Sequence, residues 1–427
     1  MKSRSHLFRA RIDQQTAPVT YIELFFDLVF VFAITQLSQH LLTHLTIQGA
    51  LQTLLLFMAV WGSWIYTCWS TNWLDPEQSS VRLMLIGLMV GGLVLSTALP
   101  DAFEDSGVLF VSAYVAVQLG RSFYMIWASV GVSEARAKNF KRISFWFLLS
   151  IPFWIAGTTA GPEVRLVSWS IAAAIEYAAP FFFFRTPGLG RSTISDWDIC
   201  GGHMAERCAL IIIIALGEAV LVTGTMFAKL PHNHDTWSIF LLNFASSAAM
   251  WWIYFDFGAK RGSLMIAEAG PLAGLVARNA YTYLHMPIII GIIVTAVGDQ
   301  LVLQAPREQA SLALVATSVG GPSLFLFGNQ AFKWMTSTRK LPPLSHFIGE
   351  GLLGAVGASA LIWRWEARLL GPMVLAALVL TAAWEWFSLH GGWQRWAPWI
   401  GTLFARLDRT FVGDEPKTMR RKSKPKS

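Results

Sequence analysis

The sequence predicts an all-α, polytopic membrane protein of about 12 transmembrane helices, and three observations carry that reading. Hydrophobic residues make up 54% of the 427-residue chain and charged residues only 14%, whereas a soluble domain runs at about 25% charged. The apolar residues gather into runs of about 18 to 24, the length that crosses a bilayer. Between the runs stand Pro, Gly and clusters of charge, the signals that end a helix.

Taken in order, the first run covers 22–44 and opens Glu23-Leu-Phe-Phe-Asp27, with two carboxylates on one face. An ionised side chain at membrane depth costs about 3 kcal/mol or more, so this helix faces protein or a water-filled cavity. Gln36 and His40 lie on its opposite face, which implies protein all round it. About 20 polar residues precede the run, and no small-residue cleavage pattern follows, so a cleavable signal peptide is not expected. The second and third runs are 50–70 and 83–100. The fourth, 108–130, carries Arg121 near its middle; the fifth is 143–160; the sixth, 166–184, carries Glu176. His203, Glu206 and Arg207 lead into the seventh, 208–227, which holds Glu218 at mid-span. The eighth, 237–257, closes on Trp251-Trp-Ile-Tyr-Phe-Asp256. In the ninth, 280–297, His285-Met-Pro287 offers a hinge or a tolerated kink, because proline frees a carbonyl and weakens the helix. The Gly-rich tenth and eleventh, 311–332 and 346–363, are the weakest signals, and the twelfth is 369–389.

Positive charge orients the chain. A cytoplasmic N-terminus places Lys2, Arg4, Arg9 and Arg11, then Arg136, Lys138, Lys141 and Arg142, then Lys260 and Arg261, then Lys333, Arg339 and Lys340, and finally the basic tail, all on the cytoplasmic side. Both termini are then cytoplasmic. The net charge of +7 comes mainly from that tail, which reads as a topology signal and a contact to anionic lipid and not as a nucleic-acid interface. Cys68, Cys200 and Cys208 show no CxxC or metal-ligand spacing, so neither a disulfide framework nor a zinc site is expected.

The two halves of the chain match in short stretches. Trp64-Ile-Tyr66 recurs as Trp252-Ile-Tyr254, Thr97-Ala98 with Asp101 as Thr295-Ala296 with Asp299, and Glu176 within Ile-Glu-Tyr as Glu385 within Trp-Glu-Trp; Glu23 opens the first span as Glu206 opens the seventh. The offsets grow in order along the chain. An even number of spans per copy makes the copies parallel, a plan common in transporters with a site between the halves. The expected organisation is a cytoplasmic segment 1–20, a first six-helix repeat 21–185, a linker 186–206, a second repeat 207–390 and a basic cytoplasmic tail 391–427.

Arg121, Glu176 and Glu218 share a depth and predict a buried cluster in which one glutamate pairs with Arg121 and the other is free to exchange protons; a static Arg–Glu clamp is the alternative. Glu23, Asp27 and Asp256 are expected to line a cytoplasmic mouth, with interhelical hydrogen bonding as the simpler role. His203 and Glu206 have a spacing that suits two metal ligands, but one such pair is weak, and His232-Asn-His234-Asp235 reads as an exposed loop. No P-loop, GxSxG, HExxH or dinucleotide motif is present.

Five motifs together, Glu23-Leu-Phe-Phe-Asp27-Leu-Val-Phe-Val-Phe-Ala, Thr71-Asn-Trp-Leu-Asp75-Pro, His203-x-x-Glu206-Arg207 through Leu216-Gly-Glu218, Trp251-Trp-Ile-Tyr-Phe-Asp256 and Tyr283-Leu-His285-x-Pro287, resemble the bacterial low-temperature-requirement A family, over residues 18 to 390. Glu176 departs from the aspartate expected there. The resemblance implies a multi-pass inner-membrane protein without an assigned substrate or mechanism. The leading expectation is a proton-linked secondary transporter of a small solute, needing no cofactor or metal, with Glu218, Glu176, Arg121, Glu23, Asp27, Asp256, Glu206, Arg207, His203 and His285 along the pathway and membrane lipid around it. The alternatives are an intramembrane enzyme acting on lipid or an isoprenoid carrier through His203, Glu206, Asp27 and Asp256, and a non-transporting scaffold or sensor.

Overall fold

The computed structural model describes residues 4–9, 18–256, 270–337 and 342–389. Lys2, Arg11, Lys260, Arg261, Arg339, Lys340 and the basic tail 391–427, on which part of the orientation rests, lie outside the described residues. Among those described, every regular element is helical, and extended pairing is confined to three isolated bridges.

Among the described residues, twelve long helices carry the fold: α1 (Tyr21–Thr43), α2 (Ile47–Trp73), α3 (Ser79–Ala98), α4 (Gly107–Ser129), α5 (Glu134–Thr158), α6 (Pro162–Ala178), α7 (Gly201–Phe227), α8 (His234–Phe255), α9 (Ala273–Gln304), α10 (Leu312–Met335), α11 (Leu344–Ile362) and α12 (Leu370–Leu389). Four of them, α2, α5, α8 and α10, start at side chains that satisfy otherwise orphaned amides. Thr46 accepts from the Gly49 amide, Ser133 from that of Arg136, Asn233 from that of Thr236 and Ser311 from that of Leu314. Ten of these helices are long and apolar enough to cross a membrane, and α5 and α6 fall outside that group. The reason is visible in the chain: α5 opens with Arg136, Lys138, Lys141 and Arg142, and α6 has only 17 residues.

The sixth helix stops at Ala178, six residues before the expected end at 184. Pro180 cannot donate to the helix and disfavours helical backbone before it, and Phe183 and Phe184 then take left-handed φ values of 51° and 47°. Helix α9 is interrupted by a π-helical segment, Arg278–Tyr283, just ahead of His285 and Pro287. Helix α10 breaks at Val319, before Gly320-Gly-Pro322.

Helix α1 packs on α2 and α3, α3 on α4, α4 on α2 and α5, and α6 on α2 and α5. In the second half α7 packs on α8 and α9, α9 on α10, α10 on α8 and α11, and α12 on α8 and α11. The halves meet where α1 and α2 lie against α7 and α9. Large apolar side chains such as Leu83, Val90, Leu221 and Leu241 are exposed on the outer surface, as expected where hydrocarbon is the solvent.

Candidate functional site

Along the seam between α1 and α7, polar side chains meet at successive depths. At the end of the bundle where the chain begins, Glu23 and Asp27 lie one turn apart on α1 and are both fully buried. His203 and Arg207 are likewise one turn apart on α7 and fully buried. His203 Nε2 donates to Glu23 Oε1 at 2.8 Å, and the Arg207 guanidinium spans both acids, reaching Glu23 Oε1 at 3.1 Å and Asp27 Oδ1 at 2.5 Å.

The rest of the network comes from neighbouring segments. Trp64 of α2 donates to Asp27 Oδ1 at 2.7 Å. The amide of Asn72, at the end of α2, both accepts from and donates to the backbone of Cys200, at 2.8 and 2.9 Å, and lies 3.2 Å from His203 Nδ1. These partners assign the proton of neutral His203 to Nε2. Arg9, from the segment before α1, donates to Glu23 Oε2 at 2.9 Å and to the carbonyls of Thr71 and Leu74, both at 3.0 Å. Glu23 Oε2 also accepts from the Thr20 amide and hydroxyl, each at 2.9 Å, so the same carboxylate caps α1. Two arginines and two acids balance in charge, as burial requires. Among the described residues, Asp27 Oδ2 and Arg207 Nε have no hydrogen-bond partner.

Two further expected members stand apart from this network. Glu206 is exposed and, among the described residues, accepts a single 3.3 Å bond, from the Val19 amide. Asp256 is exposed at the C-terminal end of α8, and no hydrogen bond or ion pair joins it to Glu23 or Asp27 among the described residues. The four residues considered for lipid chemistry, His203, Glu206, Asp27 and Asp256, are therefore not convergent.

Deeper in the same seam, the Thr35 hydroxyl of α1 donates to Glu218 Oε1 of α7 at 2.6 Å. Thr35 is twelve residues beyond Glu23, about 18 Å along the helix at 1.5 Å per residue. The expected three-residue cluster is not formed: Glu218 lies in this seam, whereas Glu176 and Arg121 belong to the first half. Nor is Arg121 paired with either glutamate among the described residues. Glu176 instead accepts from Tyr114 Oη, from Ser150 Oγ at 2.5 Å and from Trp154 Nε1 at 2.8 Å. Although it stands near the end of the short α6, those partners belong to the interiors of α4 and α5 and keep it deep.

A cavity of about 50 Å³ opens where α6 stops short, lined by Tyr66, Trp69, Trp73, Phe140, Phe184, Trp197, Arg278 and Thr282 among others. It lies against the π segment of α9. Trp61 donates to the Thr282 carbonyl at 2.7 Å and Trp69 to its hydroxyl at 3.0 Å. The Arg278 guanidinium donates to the Pro180 carbonyl at 2.8 Å and stacks over Phe181 and Trp197. His285, fully buried, bridges from the Ala280 carbonyl (2.9 Å) to the Tyr254 hydroxyl (2.8 Å) and so pins the π segment to α8. Such segments recur at functional sites.

Sequence reasoning missed Arg9, Asn72, Trp64, Thr35 and the three donors to Glu176. Arg9 reads as a topology charge, and the neutral donors have no signature in a chain rich in Trp and Ser. The Asn72 motif was visible, but only as part of a family pattern.

Residues 18–385 match the family model described as Bacterial low temperature requirement A protein (LtrA). The chain is 36% identical, over 389 residues, to an uncharacterized protein, RA0937, of Rhizobium meliloti (strain 1021), an alignment covering 91% of this chain and 93% of that protein. No solved structure matches it.

Proposed function

The chain belongs to the bacterial low temperature requirement A family, and from that premise we propose that it is a proton-linked secondary carrier of a small solute. It sits in the inner membrane with both termini cytoplasmic, and it is built from two parallel six-helix copies. The matching helix-to-helix neighbours of the two halves support the duplication. The observation that carries the carrier reading is the α1–α7 seam: ionisable groups face each other across it at the mouth, through Glu23, Asp27, His203 and Arg207, and at depth the Glu218 carboxylate faces the Thr35 hydroxyl. Buried charge of this kind is expensive, and between first helices of two parallel copies it marks the surface along which they part.

In this reading the mouth network is a latch that holds the cytoplasmic side closed, and Glu218 is the proton-exchanging carboxylate behind it. The three native cysteines are buried, so an introduced thiol can be followed alone. Thr35→Cys is expected to resist a membrane-impermeant maleimide in the otherwise native protein and to react from the cytoplasmic side once Asp27→Asn weakens the latch. A thiol that stays unreactive from both sides with the latch intact and with it weakened would remove the carrier reading.

A further inference from the structure

Arg121 is fully buried in the first half, and its Nε, Nη1 and Nη2 all lack a hydrogen-bond partner among the described residues. One turn away, Gln118 donates its Nε2 to the Tyr114 hydroxyl at 3.0 Å, and its Oε1 has no partner among the described residues. The guanidinium lies over the rings of Tyr66, at 5.2 Å, and Phe147, at 5.8 Å. Those faces supply cation–π attraction but leave the in-plane N–H groups unsatisfied. Glu176 carries the balancing charge, yet its oxygens are taken by Tyr114, Ser150 and Trp154.

The second half resolves the same problem differently. On the corresponding helix pair, α10 and α12, Lys333 Nζ meets both oxygens of Glu385 at 2.8 and 2.7 Å. Base and acid close on each other there, while in the first half they are held apart. A guanidinium with its fork unpaired is suited to a planar two-oxygen anion.

We propose that Arg121 is the anchor of a binding site for a small organic carboxylate, with Gln118 Oε1 taking a hydroxyl or amine of the same molecule and Tyr66 forming the partition between this site and the aromatic cavity. The cavity shares Tyr66 as a wall and the Arg121 guanidinium lies over that ring, so a rotation of the ring opens the cavity onto the guanidinium. An apolar body can then lie among Trp69, Trp73 and Phe140 while the carboxylate reaches Arg121. This names the solute class of the carrier and rests on that reading for its transport role, but the binding event stands by itself.

The test uses the purified full chain, titrated calorimetrically with benzoate and acetate, and with benzamide as the uncharged analogue of benzoate. Saturable binding of the carboxylates, with none of benzamide, is expected. Arg121→Gln should weaken binding about 10- to 100-fold, the range of a lost charge-assisted bond. Should that variant fail to fold, Gln118→Glu decides: it places a carboxylate one turn from Arg121, as Glu385 serves Lys333, and should keep the fold while abolishing binding. Absence of carboxylate binding by the native protein, or undiminished binding by Gln118→Glu, would overturn the site. Binding without maleimide access at Thr35→Cys would instead leave the site standing and remove the carrier.

Discussion

Arg207 is the side chain on which the mouth network turns, because its two arms neutralise Glu23 and Asp27 from opposite ends of one guanidinium. Removing it leaves two buried acids to be balanced by Arg9 alone. Breaking one partner of a buried ionic group costs about 3–5 kcal/mol, so Arg207→Gln should lose that much in denaturant melts of the purified protein. Arg207→Lys should recover only part, since an ammonium cannot fork between two carboxylates. Glu206→Gln, one position earlier but exposed, should stay within about 0.5 kcal/mol of the native protein. Much of this network was legible in the chain: two acids one turn apart in an apolar run must be sheltered, and His203 and Arg207 have the same spacing. Which residues shelter them was not, because Arg9 and Asn72 arrive from segments whose return path no local pattern records. The expected pairing of Arg121 with one of the two glutamates is absent among the described residues for a related reason, since neutral hydroxyl and indole donors can satisfy the Glu176 carboxylate as well as an arginine does.

At the level of elements, two departures from regular helix shape the interior. The early end of α6 makes room for the aromatic cavity, and Pro180 announces it in the sequence. The π segment of α9 has no comparable signal; Pro287 lies beyond it and hinted only at a weak point. Opposite, α9 and α10 approach through glycine. A β-carbon on Gly321 would lie 2.5 Å from the Thr295 amide nitrogen, whereas one on Gly320 would meet nothing within 4 Å. Overpacking of a tight contact costs about 1–3 kcal/mol, so Gly321→Val should lower the melting midpoint by at least that equivalent. Gly320→Ala, in open space and within a helix, should be neutral or stabilising by up to about 1 kcal/mol. A midpoint unchanged in Gly321→Val would mean that α9 and α10 separate without cost. The number of spans separates sequence from structure as well: the apolar runs read as twelve spans, whereas ten of the described helices are long and apolar enough to cross, and the two left out are those that carry the basic turn of α5 and the deep carboxylate of α6.

Across the whole molecule, the proposed working interface is the line where the first helix of one half meets the first helix of the other, latched at one end by charge and lined farther in by Glu218 and Thr35. Whether that line opens is measured most directly by electron–electron spin distance between labels on the two halves at the latched end, at Lys138 of α5 and Trp252 of α8, both exposed, in protein reconstituted in bilayer discs. A single distance in the native protein that gains a second, longer population when Asp27→Asn weakens the latch is the result the carrier account requires. One unaltered distance with the latch intact and weakened would contradict it, and would make the seam a weld between two halves of a rigid bundle.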